Sequence, residues 1–403
     1  MNDLLVFLLL FVAIAIGWWL GRRSADSAGV AASSGQSGQY YQGLNYLLDG
    51  RPDGATDAFI EGLEVNSETL ETHLALGNLL RKRGEVDRAI RVHQNLLARP
   101  SLPRKQVHQA HLELARDYIS AGLLDRAERL LLDLVEESAE QRVTSRRYLL
   151  DIYQSERDWQ RAIEVATDLL PRKSLLGNSS GSEGTEKGQS VALALAHYRC
   201  EIAADKLAAG ELQAARSLLQ QALAQDKACV RASIMLGEVE YEAGHYREAV
   251  KALRRVKQQD ADYLPETVAI LRKCYQQMND EQSLKDYLED CLDASSSPNL
   301  LLAVAEDICD AGGKESAAEF LSSRLADQPS LRGLAKLINL QLDVTEGDAG
   351  NSLGLLQVLV ERLISERPTY RCAHCGFSGR QLHWFCPGCK YWGTMKAIQS
   401  GGE

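Results

Sequence analysis

Residues 74–97 read LALGNLLRKRGEVDRAIRVHQNLL, and residues 234–256 read IMLGEVEYEAGHYREAVKALRRV. The two stretches share one plan. Apolar residues recur at helical spacing on two successive segments, and a small residue, Gly77 or Gly237, sits in the first of them. A glycine, Gly84 or Gly244, parts the segments, and Ala89 or Ala249 follows it in the second. The plan predicts a helical hairpin. Small side chains let the two backbones approach, and the glycine supplies the positive φ at which a helix ends and the chain turns.

The plan repeats. The alanine position recurs at Ala55, Ala89, Ala127, Ala162, Ala215, Ala249 and Ala317, with Ser283 before the last, in steps of 34, 38, 35, 53, 34, 34 and 34 residues. Before these stand Gly50, Gly84, Gly122, Arg157, Gly210, Gly244, Met278 and Gly312. Glycine is only 31 of 403 residues, so its recurrence here is a register and not chance. Ahead of the turns come Gly43, Gly77, Ala115, Leu150, Ala203, Gly237, Leu271 and Ala305, mostly small. One hairpin cannot bury its apolar face alone, so successive hairpins are expected to stack into a superhelix.

This pattern resembles the tetratricopeptide repeat. The resemblance covers residues 38–330 as about eight units, without the early Trp of that repeat. A further pair, RGLAKLINLQL and SLGLLQVLVERLI, is expected to cap the array over 331–367. The two long steps fall at SLPR and at SLLGNSSGSEGTEKGQS, a Gly/Ser-rich insert over 174–190 that is expected to be flexible. Stacked repeats form a concave groove that binds peptides or proteins. By position in the repeat, Asn78, Arg81, Lys82 and Arg116 are expected to line it, although an ordinary solvated face carries the same residue types.

At the N-terminus, Leu4 to Leu20 run LLVFLLLFVAIAIGWWL, 17 residues without a charge. That is at the short end of what crosses a bilayer. Asp3 precedes the run and Arg22 and Arg23 follow it, the reverse of a cleaved signal peptide. Trp18 and Trp19 stand where aromatic rings anchor a span. Residues 1–23 are therefore expected to be a retained single-pass anchor, with 24–37 a tether and the bulk of the chain on the cytoplasmic side. Gly17 and Gly21 form G-x-x-x-G, a spacing that pairs helices into a homodimer but that also simply ends one.

The C-terminal stretch RCAHCGFSGRQLHWFCPGCK places Cys372, Cys375, Cys386 and Cys389 as two Cys-x-x-Cys pairs. Each such turn aims two thiolates at one point, and two turns complete a tetrahedron that holds zinc or iron. So small a piece needs the metal to fold, and residues 368–403 are expected to be such a domain. Trp384, Phe385, Tyr391 and Trp392 give it more aromatic surface than it can bury. The excess is expected to dock on SLGLLQVLVERLI or on a partner. Trp384 and Trp392 are the candidate partner contacts. The other five cysteines are scattered singly and read as small buried hydrophobes, not as a disulfide framework. The net charge of −10 speaks against nucleic acid as a partner. No nucleophile, base and phosphate-loop motif comes together, so the chain reads as a binding protein and not as an enzyme.

The knuckle sequence CAHCGF…CPGCK is similar to rubredoxin-like zinc ribbons. The expected class is thus all-α: a tetratricopeptide superhelix with an N-terminal transmembrane helix and a small C-terminal rubredoxin-like metal domain. That three-part order resembles the lipopolysaccharide assembly protein B family of Gram-negative bacteria. The resemblance implies an inner-membrane adaptor that controls lipopolysaccharide level. It would present the deacetylase that commits precursor to lipid A to a membrane AAA+ protease, under an inner-membrane lipopolysaccharide sensor. Two other readings stay open: a scaffold that gathers lipopolysaccharide-synthesis proteins without affecting proteolysis, and an electron-transfer protein with thiolate-bound iron.

Overall fold

The computed structural model describes residues 70–98, 102–170, 189–294, 297–327, 329–342, 348–365 and 367–398, together with residues 45, 46 and 54. The expected anchor, the tether and nearly all of the insert lie outside these residues. Among the described residues no helix is long and apolar enough to cross a membrane. The chain divides into two compact units, 1–152 and 153–403.

The first unit is built of α1 (Leu70–Lys82), α2 (Val86–Leu97), α3 (Arg104–Ser120), α4 (Leu124–Glu137) and most of α5 (Arg142–Glu156). α1 pairs with α2 and α3 with α4, and α2 lies against α3. Leu70, Leu74, Leu96 and Ala110 form one apolar cluster, and Leu80, Ala89 and Val92 a second.

The second unit continues the plan. It holds α6 (Trp159–Leu169), α7 (Val191–Ala208), α8 (Leu212–Gln225), α9 (Val230–Glu242) and α10 (Tyr246–Arg254). A short α11 (Val256–Gln259) and a 3₁₀ turn (Ala261–Tyr263) lead into α12 (Pro265–Met278), α13 (Glu281–Ala294), α14 (Pro298–Gly312) and α15 (Lys314–Asp327). The last pair is α16 (Leu331–Leu342) and α17 (Asp348–Ser365).

The expected register is present in the side chains. Ala89 and Ala127 in the first unit are 0% exposed, as are Ala162, Ala215, Ala249 and Ala317 in the second. Gly237 shows why a small residue is required in α9: a Cβ there would stand 2.5 Å from Leu253 Cγ of α10. Gly244 shows the turn, with φ 77°. Its N–H donates to Tyr241 O at 2.9 Å, and the next N–H, from His245, donates to Glu240 O at 2.8 Å. These paired bonds close the helix C-terminus in a Schellman motif.

The register slips at two places. After α12 the left-handed residue is Asn279, φ 54°, and not Met278. The alanine position moves with it, so that Ser283 is exposed and Leu284 is buried. After α14 it is Gly313, φ 91°, and not Gly312. The α11 segment and the 3₁₀ turn occupy the linker ahead of α12.

The chain ends in a three-stranded antiparallel sheet of order β2–β1–β3, with β1 at Tyr370–Cys372, β2 at Ser378–Gly379 and β3 at Met395–Ala397. It does not cover α17, contrary to expectation. Leu355 and Val358 of that helix remain 64% and 62% exposed, and Leu356, Leu359 and Leu363 are open beside them.

Candidate metal centre and its docking on the helices

Cys372 closes β1, Cys375 sits in the turn after it, and Cys386 and Cys389 flank the Pro387–Gly388 turn. The four sulfurs lie within 4.8 Å of one another. Cys372 and Cys389 Sγ are 3.7 Å apart, as are Cys375 and Cys386 Sγ. That is too far for a disulfide, and all four cysteines are free. It matches the edge of a tetrahedron with metal–sulfur bonds of ~2.3 Å, which is about 3.8 Å.

The surroundings favour a thiolate at Cys372. Burial opposes ionisation of Cys372. The Thr394 hydroxyl, 3.2 Å away, and the N–H groups of Cys375 and His374 outweigh it and bring the thiol down to about 6. Cys389 moves the other way, pushed up to about 12 by burial and by the neighbouring cysteines. Four thiolates this close repel one another, and only a cation makes all four stable. These residues fit one metal ion in a four-thiolate site, zinc or iron. His374 turns instead to Tyr391, ring centroids 4.0 Å apart, and takes no part in the sulfur cluster.

The ribbon docks on the helices through Trp392, which is 2% exposed. Its ring stacks on His197 of α7 at 4.9 Å and 17°. Tyr198 and Trp159 meet it edge-on, both at 5.9 Å. Its indole N–H donates to Gln154 Oε1 at 3.0 Å, an oxygen that also accepts the Tyr198 hydroxyl at 2.9 Å. Gln189 reads its backbone twice: Nε2 donates to Trp392 O at 2.8 Å, and Oε1 accepts the Trp392 N–H at 3.0 Å. Gln189 and Ser190 therefore do not belong to the expected flexible insert. The Ser190 hydroxyl caps α7 by accepting from Ala192 N–H at 3.2 Å.

A second group of contacts surrounds the 3₁₀ turn. Tyr263 stacks on Trp384 at 5.2 Å, and its hydroxyl donates to Met395 O at 2.7 Å. Lys396 Nζ lies 2.8 Å from both Asp260 and Asp262. Burial alone would lower that ammonium, but the two carboxylates raise it. Tyr370 donates to Glu266 at 2.9 Å, and Arg332 of α16 donates to Thr369 at 2.7 Å. Gly393 has φ 62°, and a Cβ there would come within 3.4 Å of His197 Nε2.

Trp392 is thus spent inside the chain and is not open to a partner, and Trp384 is half-buried against Tyr263. The expected groove residues divide similarly. Arg81 forms a largely buried network: Nη1 is 2.6 Å from Asp117, and Nη2 is 2.7 Å from Glu113 and also donates to Asn78 Oδ1. Asp117 in turn meets His93, whose side chain is 0% exposed. Arg81 therefore stabilises neighbouring hairpins, and a buried guanidinium is not free to greet a ligand. Arg116 pairs with Glu113 at 2.9 Å, and Lys82 is exposed. Gln154, Gln189 and Tyr263 had no signal in the sequence, because no spacing rule points to a partner 130 residues away or more.

Two segments match the tetratricopeptide repeat, residues 72–107 and 206–280, and residues 370–397 match a rubredoxin metal binding domain. The whole chain is similar to Lipopolysaccharide assembly protein B of Escherichia coli K12, 38% identical with 98% of each chain covered. The protein of the same name from Haemophilus influenzae is 35% identical, again with 98% of each covered. Kinship at that level over repeats and ribbon together places this chain in the lipopolysaccharide assembly protein B family.

Proposed function

We propose that the chain is an inner-membrane adaptor that lowers lipopolysaccharide synthesis by delivering the lipid A-committing deacetylase to a membrane AAA+ protease. The observation that carries this reading is the full-length likeness to relatives named for lipopolysaccharide assembly. Helical repeats act through protein contacts, and the exposed leucines and valine of α17 are a surface that a self-sufficient monomer would cover. In this reading residues 1–23 hold the chain at the bilayer with its bulk on the cytoplasmic side. Lys82 and Arg116 contribute to a partner-facing groove, and an inner-membrane lipopolysaccharide sensor restrains delivery. The metal orders the ribbon and with it the helices beneath, and carries no chemistry of its own.

The test is the half-life of the deacetylase in cells depleted of the chain, with wild type or a Cys372→Ser/Cys375→Ser variant supplied back. A longer half-life on depletion, restored by wild type and not by the variant, is the expected outcome. An unchanged half-life removes the adaptor reading. A scaffold that gathers lipopolysaccharide-synthesis proteins would then take its place.

A further inference from the structure

α10 and the residue after it carry Arg247, Lys251, Arg254 and Arg255, all exposed. At spacings of four, three and one they share one side of the helix, opposite the buried Ala249, Ala252 and Leu253. With Val250 and Gln258 they line a shallow recess of about 460 Å³.

The charge in this recess is not balanced from within. Among the described residues, Arg247, Lys251 and Arg255 have no carboxylate partner, and Glu248 on the same helix engages none of them. Carboxylates are not scarce, since the chain carries 55 acidic residues against 45 basic ones. Lys257, close by in sequence, does find one: its Nζ is 2.6 Å from Asp290. Nor does the helix dipole account for the set. It favours Lys251 and Arg254 in the last turn and disfavours Arg247 in the first. Arg254 is held in place, its guanidinium 4.5 Å from the Tyr287 ring centroid, while remaining open to solvent.

We propose that this recess binds a phosphate group. Three guanidinium forks and one ammonium converging on one hollow suit a compact, multiply charged oxyanion better than a single carboxylate. Bound phosphate would also relieve the mutual repulsion of the four cations. The group could arrive as soluble phosphate or as the headgroup of an anionic lipid, and the recess reads the chemistry that both share.

The test uses the full chain purified in uncharged detergent. Inorganic phosphate is titrated and followed by the phosphorus-31 line width. In a separate arm, mixed micelles of phosphatidylglycerol or phosphatidylcholine are added and followed by co-elution. The variants are Arg247→Gln alone and Arg247→Gln/Lys251→Gln/Arg255→Gln. All are surface changes, and unchanged circular dichroism melting verifies the fold. Saturable broadening by phosphate that weakens about tenfold in the triple variant, less in the single one, supports the site. Co-elution with phosphatidylglycerol and not phosphatidylcholine, lost in the triple variant, identifies a lipid source; broadening without co-elution identifies a soluble one. Absence of both responses, or responses equal in wild type and triple variant, overturns the proposal. So does saturable binding of a polyglutamate peptide by a chain that ignores phosphate, which would make the recess a contact for acidic protein.

Discussion

The indole N–H of Trp392 donates to Gln154 Oε1 at 3.0 Å across 238 residues of sequence. The bond stands at the base of an aromatic stack in which His197, Tyr198 and Trp159 surround the indole. Truncation to Ala would empty this site and cost about 3–5 kcal/mol, the usual range for a buried Trp. Trp392→Phe keeps most of the apolar area and loses one hydrogen bond, leaving Gln154 with Tyr198, for about 1 kcal/mol. Urea denaturation of the two variants checks both magnitudes. Near-equal costs would mean that the hydrogen bond, and not the buried ring, holds the ribbon down.

Metal removal is expected to reach the helices through the same contacts. Without a cation the four thiolates repel and the ribbon loses order. Trp392 then leaves α7, and Tyr263 loses its acceptor at Met395 O, 2.7 Å away. Hydrogen exchange after chelation should accelerate in α7 and in the Ala261–Tyr263 turn while the middle of α17 stays as it was. Faster exchange in α17 alone would contradict the docking described above.

How much of this was legible in the sequence depends on distance along the chain. Ala89, Ala215 and Ala249 were readable because one backbone plan recurs, and a recurring plan makes each copy testimony for the others. The four cysteines were readable because a tetrahedron demands two close pairs. The register slipped at Asn279, one residue beyond the turn position that the period assigns, a local detail that no fixed period reports. Docking was not readable at all. Trp392 and Trp384 announce an unmet need for burial, yet which helix meets it depends on how α7, α9 and the 3₁₀ turn come together. The apolar α17 was the natural guess, and the structure leaves it open.

His197 makes the ribbon contact sensitive to acid. Burial, helped by the nearby Arg231, brings its pKa down from 6.5 to about 3. The folded chain therefore keeps His197 neutral where the unfolded chain takes up a proton. Its contribution is whole above pH ~6.5 and drains away as the pH falls toward 3, amounting to about 2 kcal/mol lost by pH 5. His197→Phe keeps a flat ring against Trp392 and cannot titrate. Unfolding free energies of wild type and variant should therefore converge or cross on acidification, the variant losing less. Parallel pH profiles would remove His197 as the cause.

Arg157 offers a gain in stability. It holds the turn position that glycine fills in most other hairpins, at φ 59°. An L side chain in that region costs roughly 1 kcal/mol, whereas glycine enters it freely. Arg157→Gly relieves this strain and gives back part of it through the greater freedom of the unfolded chain. The net expectation is a variant more stable by about 0.5 kcal/mol, with Trp392 and its partners undisturbed. Gly244→Ala is the mirror experiment: at φ 77° with open space around the missing Cβ, only the backbone conformation is penalised, for about 1 kcal/mol of lost stability. Thermal melting of the pair should shift in opposite directions, up for Arg157→Gly and down for Gly244→Ala. If Arg157→Gly melts below wild type, the arginine side chain contributes more in its place than the turn geometry costs.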